Sequence, residues 1–348
     1  PAWSIKRLKL TGPTSGLDVE MTWGAAGRVA VELRGFSSAW LGDLIDLPGP
    51  PWELNAMKLT GDWDRGPMTF TASAGATIAL GDERKAVVDL SARGGKDGLQ
   101  LEALRVAEGA AAIVTAAGRA PVTLSPGSMP LVRIDPGGAL ALDAATESNA
   151  TFWQKLAALT GCELVDPVAT AHVAGTWAQP LGDVRLQATR VAVDATRIKR
   201  PVPTVEGLDV AVTGDRDGVR LDRFAVKVEG QQVSAHGRLP MGRGDWSEVA
   251  KQPVAFLQRA AEVHLEVPEA EVAVFARFLP AFLAPQGRVE LNVDYQRGAM
   301  DGILRLRDAA SRPLGPLGVL QEISAEVRLA GRKLELTKVT AMSGGQPV

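Results

Sequence analysis

The feature of this sequence that most constrains its fold is the alternation of apolar and polar side chains at every second position. In Gly287–Arg297, the residues Val289, Leu291, Val293 and Tyr295 alternate with polar residues. Successive side chains of a β-strand point to opposite faces of the sheet, so this pattern predicts a strand with one apolar and one polar face. Similar runs recur at a spacing of about ten residues along the whole chain, which is typical of a mainly β fold.

Glycine-containing turn signals separate these runs. They are Gly94-Gly95, Asp97-Gly98, Asp217-Gly218 and Asp301-Gly302. Asp-Gly and Gly-Gly pairs favour the positive backbone φ angles of tight hairpin turns. We therefore expect each of these pairs to connect two antiparallel strands.

Three segments of the chain resemble one another. Asp97–Val106 is similar to Asp217–Val226, and Lys333–Val339 is a shorter copy. In each copy the alternation of apolar positions shifts phase once, as between Leu101 and Leu104, which predicts a β-bulge that bends the strand. Repeated bent strands that stack on their neighbours describe an elongated, curved antiparallel or mixed sheet with a few short helices.

Two segments interrupt the strand pattern. Residues 148–161 place N-capping residues before an apolar-periodic run that ends at a glycine, which predicts a helix. Residues 247–284 are expected to be a helical insertion, in which Pro268–Glu271 opens a helix with proline at its start and acids in its first turn. An apolar stripe in this insertion would pack on the sheet or act as a lid over an apolar groove. Its aromatic residues are Phe275, Phe278 and Phe282.

The domain organisation follows from this division. We expect one continuous segment over residues 1–348, without a separate globular domain. Its strand-rich parts are 1–147, 162–246 and 285–348, separated by the helix 148–161 and the helical insertion 247–284.

The chemical inventory of the chain argues against several classes of function. Cys162 is the only cysteine, which excludes an internal disulfide and a Cys-based zinc site. His172, His236 and His264 lack metal-ligand spacing, and we expect His172 and His236 on solvated strand faces.

No nucleotide-binding or hydrolase motif is present in the sequence. A net charge of −2 from 38 basic and 40 acidic residues gives no support for nucleic-acid binding. We therefore predict a protein that is not an enzyme and uses no cofactor or metal.

The remaining chemical feature is the apolar face of the strands. Such a face either packs on a second sheet or lines an open groove. A groove would hold acyl chains, because burial contributes about 0.8 kcal/mol per CH₂ group. Periodicity alone does not distinguish the two arrangements. The residues predicted to line a groove are Leu99, Leu101, Val219, Leu221, Val289, Leu291, Val293, Leu304, Leu306, Val327, Leu329, Leu334 and Leu336.

The repeating pattern of predicted strands and turns in the second half of the chain resembles that of the TamB/AsmA-like envelope proteins. The resemblance is carried by Gly287–Gly298, Asp301–Ala309, Ile323–Gly331 and Leu334–Thr337. It implies a β-taco fold with an apolar interior, in a fragment of a larger Gram-negative envelope protein. The parent would be anchored in the inner membrane and extend through the periplasm, and its membrane contact would lie in parts not present here.

The resemblance implies two kinds of partner, phospholipids and an outer-membrane assembly protein. Our first hypothesis is therefore a lipid-transfer segment that carries phospholipid acyl chains along an apolar groove between the inner and outer membranes. The alternative is a structural or assembly scaffold for outer-membrane protein biogenesis, with a closed β core and no lipid path. A hydrolase of an envelope polymer is a third class, but it requires a cluster of acids or histidines that the sequence does not show.

Overall fold

The computed structural model describes residues 2–40, 51–81, 84–193, 202–242, 245, 248, 252–278, 281–315, 318–331 and 333–348. The fold is mainly β with a few short helices, which confirms the predicted fold class. The chain divides into two compact units, where the sequence predicts one continuous segment. Unit 1 comprises Pro1–Trp153 and Val168–Gly182, and unit 2 comprises Gln154–Pro167 and Asp183–Val348.

Unit 1 is built on an antiparallel sheet whose strands pair mostly with their neighbours in the chain. Strands β1 to β8 pair in chain order, β8 pairs with β11, and β11 pairs with β13. Strands β9 and β10 form a separate two-stranded sheet. The bounds are β1 (Trp3–Thr11), β2 (Gly16–Trp23), β3 (Ala26–Ser37), β4 (Trp52–Asp64), β5 (Thr69–Gly81), β6 (Arg84–Gly95), β7 (Gly98–Glu108), β8 (Ala111–Ala120), β9 (Val122–Leu124), β10 (Val132–Ile134), β11 (Ala141–Thr146) and β13 (Val168–Gly175).

The most tightly packed part of unit 1 is a cluster of four buried side chains, Val29, Trp63, Met68 and Phe70. We call these four residues the unit 1 core cluster. The Trp63 ring packs edge-on against Trp23 with ring centroids 5.2 Å apart, and its Nε1 donates a hydrogen bond to the Gly24 carbonyl at 3.1 Å. Because the one polar atom of this indole is satisfied, the ring can be buried without an unpaired donor.

Unit 2 has a similar antiparallel arrangement. Strand β12 pairs with β14, which begins in unit 1, and β15 to β23 pair in chain order. The bounds are β12 (Cys162–Val165), β14 (Pro180–Val193), β15 (Val205–Gly214), β16 (Gly218–Val228), β17 (Gln231–Pro240), β18 (Glu262–Glu271), β19 (Arg288–Gln296), β20 (Ala299–Ala309), β21 (Leu320–Ala330), β22 (Lys333–Ser343) and β23 (Gln346–Pro347).

The helices of the described residues are short. Helix α1 (Thr151–Thr160) lies within the predicted helix 148–161 and ends at Gly161, whose φ of 74° is readily adopted only by glycine. Helix α2 (Pro253–Ala260) has its proline at the first turn, where a missing backbone N–H costs nothing. The described residues also include two 3₁₀ turns, Ser38–Trp40 and Val272–Phe278.

The predicted helical insertion at 247–284 is correct only in part: helix α2 lies within it, but the helix predicted to open at Pro268 does not form. Residues Glu262–Glu271 form strand β18, so Pro268–Glu271 ends a strand and does not open a helix. The register between β18 and β19 shifts between Val267 and Ala270, which marks an irregularity around Pro268. Proline is tolerated at such a bulge because the pairing is already interrupted there. A proline followed by acidic residues is therefore compatible with the end of a strand as well as with the start of a helix.

The predicted aromatic stripe does not form on a helix either. Phe275 and Phe278 are half-buried in the 3₁₀ turn, and Phe282 lies beyond it in a turn with 55% of its surface exposed. Side chains three residues apart eclipse in a 3₁₀ helix, so Phe275 and Phe278 share a face, but the helix ends at Phe278 and the stripe does not continue to Phe282. Leu279, which the sequence places in the same apolar stripe, lies outside the described residues, as does most of 243–251 at the start of the insertion.

The bulges predicted from the three similar segments are confirmed. The register of β7 shifts around Glu102, that of β16 around Asp222, and that of β22 around Thr337. In each case one extra residue follows the second alternating apolar residue, which is Leu101, Leu221 or Leu336. The extra residue restores the apolar face after the bend, which explains why the apolar positions change phase in the sequence.

Two of the predicted turns are misplaced. Gly94 and Gly95 are the last residues of β6 and pair with Leu99 and Gly98 of β7, so the turn there is made by Lys96 and Asp97. Asp301 and Gly302 lie inside β20, and the turn between β19 and β20 is made instead by Arg297 and Gly298, with φ of 50° and 82°. Gly302 is required by its neighbour strand, because a Cβ there would lie 2.4 Å from the Asn292 carbonyl oxygen. Close approach of two strands and a tight turn both select glycine, so the residue type alone does not separate them.

Candidate functional site

The main candidate site is an apolar surface that crosses unit 2 from strand to strand. One row of directly opposed residues runs across seven strands, β16 to β22: Phe224, Ala235, Leu265, Val293, Gly302, Leu329 and Leu334. A second row runs across β18 to β22: Val267, Leu291, Leu304, Val327 and Leu336. We call these two rows the apolar face of unit 2. No polar side chain interrupts either row.

This face is only partly shielded from solvent. Val293 is its one buried side chain, at 9% exposure, whereas Leu334 and Leu336 at its C-terminal end are 73% and 64% exposed. The other residues of the two rows are half-buried. Side chains in a sheet packed against a second layer are normally close-packed and almost fully buried. The apolar face of unit 2 therefore has room for additional apolar contacts.

The predicted groove residues divide between the two units. Val219, Leu221, Val289, Leu291, Val293, Leu304, Leu306, Val327, Leu329, Leu334 and Leu336 lie on strands of unit 2. Leu99 and Leu101 lie on β7 of unit 1. Leu99 is half-buried and packs against the unit 1 core cluster, so part of its side chain is already covered by that cluster.

Sequence reasoning missed the apolar residues of β18. Val263, Leu265 and Val267 alternate with polar residues and lie opposite Tyr295, Val293 and Leu291, respectively, on β19. The sequence pattern places all three in the predicted helical insertion. Their two-residue alternation was the signal that could have placed them on a strand.

Helix α2 is held at one end of this face. The Tyr295 hydroxyl donates a hydrogen bond to the Gln258 carbonyl at 2.7 Å, and Phe256 of the same helix is only 2% exposed. Tyr295 belongs to the same apolar alternation of β19 as Val293, so this bond joins the helix to the apolar side of the strand. The helix thereby contributes a fixed border and not a separate pocket.

The opposite face of unit 2 carries ion pairs. Arg305 contacts Glu290 at 3.3 Å and Glu326 at 3.1 Å, and Arg307 contacts Glu290 at 3.2 Å. The hydrogen bond from the Arg305 guanidinium holds the pKa of Glu326 below its ordinary value. Charged pairs directly opposite each other on neighbouring strands stabilise the sheet and keep this face wetted.

The histidines form cross-strand pairs. His264 lies opposite His236 with ring centroids 4.8 Å apart, and its Nδ1 is 2.7 Å from a carboxylate oxygen of Asp294. In unit 1, His172 Nδ1 lies 2.6 Å from Asp143. His172 and His236 are exposed, which confirms their predicted place on solvated strand faces. Among the described residues, no three His, Cys, Asp or Glu side chains come together in a way that would hold a metal ion.

Comparisons with known proteins identify no relative. No family model matches the chain, and neither the curated proteins nor the solved structures include a match. No helix in the described parts of the chain combines the length and apolar composition needed to span a membrane.

Proposed function

We propose that this chain is a non-enzymatic, lipid-transfer segment of a cell-envelope protein, and that phospholipid acyl chains travel on the apolar face of unit 2. The observation that carries the proposal is the pair of uninterrupted apolar rows that stay half-exposed across neighbouring strands. An acyl chain laid on these rows would remove from water both its own methylene groups and the half-exposed leucines and valines. Each buried methylene contributes about 0.8 kcal/mol.

The chemistry of the rows favours movement along them. Seven strands spaced about 4.8 Å apart give a row that extends roughly 29 Å across the sheet. Hydrophobic contact is non-directional, and a row of Leu, Val and Ala offers no hydrogen bond that would hold an acyl chain at one position. An acyl chain that advances by one β-strand therefore exchanges one apolar contact with the protein for a similar one. The head group would stay in water, where its charge is solvated.

The proposal places the lipid on unit 2 and assigns a structural role to Leu99 of unit 1. Leu99 contacts the unit 1 core cluster, in which Trp63 and Met68 are each 4% exposed. An acyl chain that replaced this contact would have to separate Leu99 from the cluster, which costs free energy. The resemblance to TamB/AsmA-like proteins supplies the cellular setting of the proposal, a periplasmic path between the inner and outer membranes, with an outer-membrane assembly protein as a second partner.

Site-specific photo-crosslinking in cells tests this function. A photoreactive residue at Leu291 or Leu306 should capture phospholipid, whereas the same group at Asn292 should not, because Asn292 points to the opposite face of β19. Native mass spectrometry of the purified chain should show bound phospholipid. Equal lipid capture at Leu291 and Asn292, or capture of protein alone at Leu291, would reject the proposal and favour the scaffold with a closed core.

A further inference from the structure

The polar face of unit 2 carries one row in which two histidines lie side by side. His236 of β17 lies directly opposite His264 of β18, and His264 lies opposite Asp294 of β19. Asp294 in turn lies opposite Asp301 of β20. Residues that oppose each other on neighbouring strands have their side chains on the same face of the sheet. The row therefore brings two imidazoles and two carboxylates together from four different strands.

The histidine pair differs from the pair beside it on the same two strands. Arg238 and Glu262, in the next row of this face, form an ion pair at 2.5 Å. The rings of His236 and His264 instead lie 4.8 Å apart between centroids, with their planes tilted by 41°. Two protonated imidazoles in directly opposed positions would repel each other, so this pair does not stabilise the sheet as the neighbouring ion pair does.

The tautomer of His264 is set by Asp294. The Nδ1 atom of His264 lies 2.7 Å from a carboxylate oxygen, which accepts a hydrogen bond, so Nδ1 carries the proton. The Nε2 atom of the neutral ring then has a free lone pair. Metal-ligating histidines have this same arrangement, in which the second ring nitrogen donates to a carboxylate that orients the ring. His236 makes no hydrogen bond to any other described residue, so it also has a ring nitrogen free to bind.

The distance between the rings and the space over them allow one ion to bind both. A zinc ion lies about 2.0–2.1 Å from each ligating imidazole nitrogen, so two rings that share one ion have centres no more than roughly 6.5 Å apart. The observed 4.8 Å is within this limit. Both rings line an open cavity of about 570 Å³, which has room for water molecules on the ion.

The charges around the row favour a bound cation. Arg220 and Arg238, the two arginines that line the cavity, are each paired with an acid. Asp294 and Asp301 make no ion pair with lysine or arginine in the part of the chain that the structure describes. A cation on the two imidazoles is therefore attracted by carboxylates whose charge no basic side chain offsets.

We propose that His236 and His264 bind one divalent transition-metal ion, with Asp294 orienting the His264 ring and water filling the remaining positions of the ion. Imidazole nitrogens suit Zn²⁺, Cu²⁺ and Ni²⁺. Two protein ligands hold an ion more weakly than the four of a structural zinc site, so the ion exchanges with solution. The two histidines become neighbours only when β17 and β18 pair, which is why their spacing along the chain predicts no metal site.

The metal site is independent of the acyl-chain path. Asp294 and Val293 are successive residues of β19, so their side chains point to opposite faces of the sheet. The ion binds on the polar face, whereas the two apolar rows lie on the other. Either proposal can therefore fail without the other.

Calorimetric titration of the untagged chain with Zn²⁺ tests this site. A Cys162→Ser background removes the only native thiol, which would otherwise compete for the ion. We expect one saturable site, and His236→Ala or His264→Ala should each abolish it. Asp294→Asn should weaken binding about tenfold, because the carboxylate that orients His264 is lost. Circular dichroism of the histidine variants should match that of the parent, since both side chains lie on the solvated face.

A matched control and a spectroscopic measurement identify the ligands. His172→Ala removes a histidine that is paired with Asp143 at 2.6 Å but is not opposite another histidine, so it should leave the affinity unchanged. Electron paramagnetic resonance of the Cu²⁺-loaded chain should show coupling to two imidazole nitrogens, and to one in His236→Ala. Absence of saturable Zn²⁺ binding, binding that survives loss of either His236 or His264, an equal loss in His172→Ala, or a single coupled nitrogen in the parent would each overturn the proposal.

Discussion

Leu221 lies directly opposite Gly237 across β16 and β17, and the adjoining strand β18 passes so close that a Cβ on Gly237 would lie 2.5 Å from the Glu262 carbonyl oxygen. The same relationship recurs in unit 1, where Leu101 lies opposite Gly118. Both leucines come directly before the extra residue of a bulge. A bent strand thus brings its neighbours together at the position where only glycine fits.

Gly237→Ala should therefore destabilise the protein. The added methyl group would meet backbone atoms of β18, which cannot move aside without disturbing the sheet, so we expect a loss of about 1–3 kcal/mol in the free energy of unfolding. Urea unfolding followed by circular dichroism measures this. Gly214→Ala is the matched control, because its Cβ would come no closer than 3.6 Å to another atom, the Gly218 carbonyl oxygen. Equal losses in both variants would show that close approach is not the reason for Gly237.

Trp63→Ala should cost about 3–5 kcal/mol, the range for removing a large buried aromatic side chain. Trp63 is 4% exposed, so the variant leaves a cavity in the unit 1 core cluster and also removes the hydrogen bond to Gly24. Trp177→Ala, at a tryptophan of unit 1 that is 42% exposed, should have a much smaller effect. Thermal unfolding of the two variants checks this difference, and similar losses would contradict the packed core assigned to unit 1.

Leu304→Asn should weaken lipid binding, since it introduces a polar group in the middle of the second apolar row. We expect at least a fivefold loss of affinity for a fluorescent fatty-acid probe, from the cost of burying an amide without a partner. Ile303→Asn is a close control, because Ile303 is the preceding residue of β20, is also half-buried and points to the opposite face. If the two variants bind the probe equally, the acyl chains do not use the apolar face of unit 2.

The pair Arg305 and Glu326 should couple in a pH-dependent way. The hydrogen bond from Arg305 lowers the pKa of Glu326 from its ordinary value of 4.5. A carboxyl whose pKa is lower in the folded state stabilises that state above pH 4.5, and this contribution is lost as the pH falls through the lowered pKa. Both side chains are partly exposed, so the coupling should also weaken with salt.

A double-mutant cycle measures this coupling. Arg305→Gln, Glu326→Gln and the double variant, unfolded by urea at pH 7 and again in acid, should give a favourable interaction only at the higher pH. A coupling that persists unchanged after Glu326 is protonated would show that the two side chains interact through packing and not through charge.

Local patterns in the sequence predicted the strands and bulges because both depend on nearby residues. Leu99, Leu101 and Leu104 reveal the bulge in β7 by their spacing alone, since an extra residue must change which side chains face the core. The misplaced turn at Gly302 had no such local signal. That glycine is selected by Asn292, which is a neighbour only after β19 and β20 have paired.

The sequence by itself determined that this chain is a mainly β protein whose strands each have an apolar and a polar face, because side-chain alternation is a property of every strand taken alone. Only the tertiary structure decided which apolar residues are enclosed and which remain accessible. Leu99 and Leu304 occupy similar positions in similar strands and are both half-buried, yet Leu99 packs against the unit 1 core cluster, while Leu304 lies in the apolar rows of unit 2. Burial depends on what lies above a face, and that is set by contacts between residues far apart in the chain.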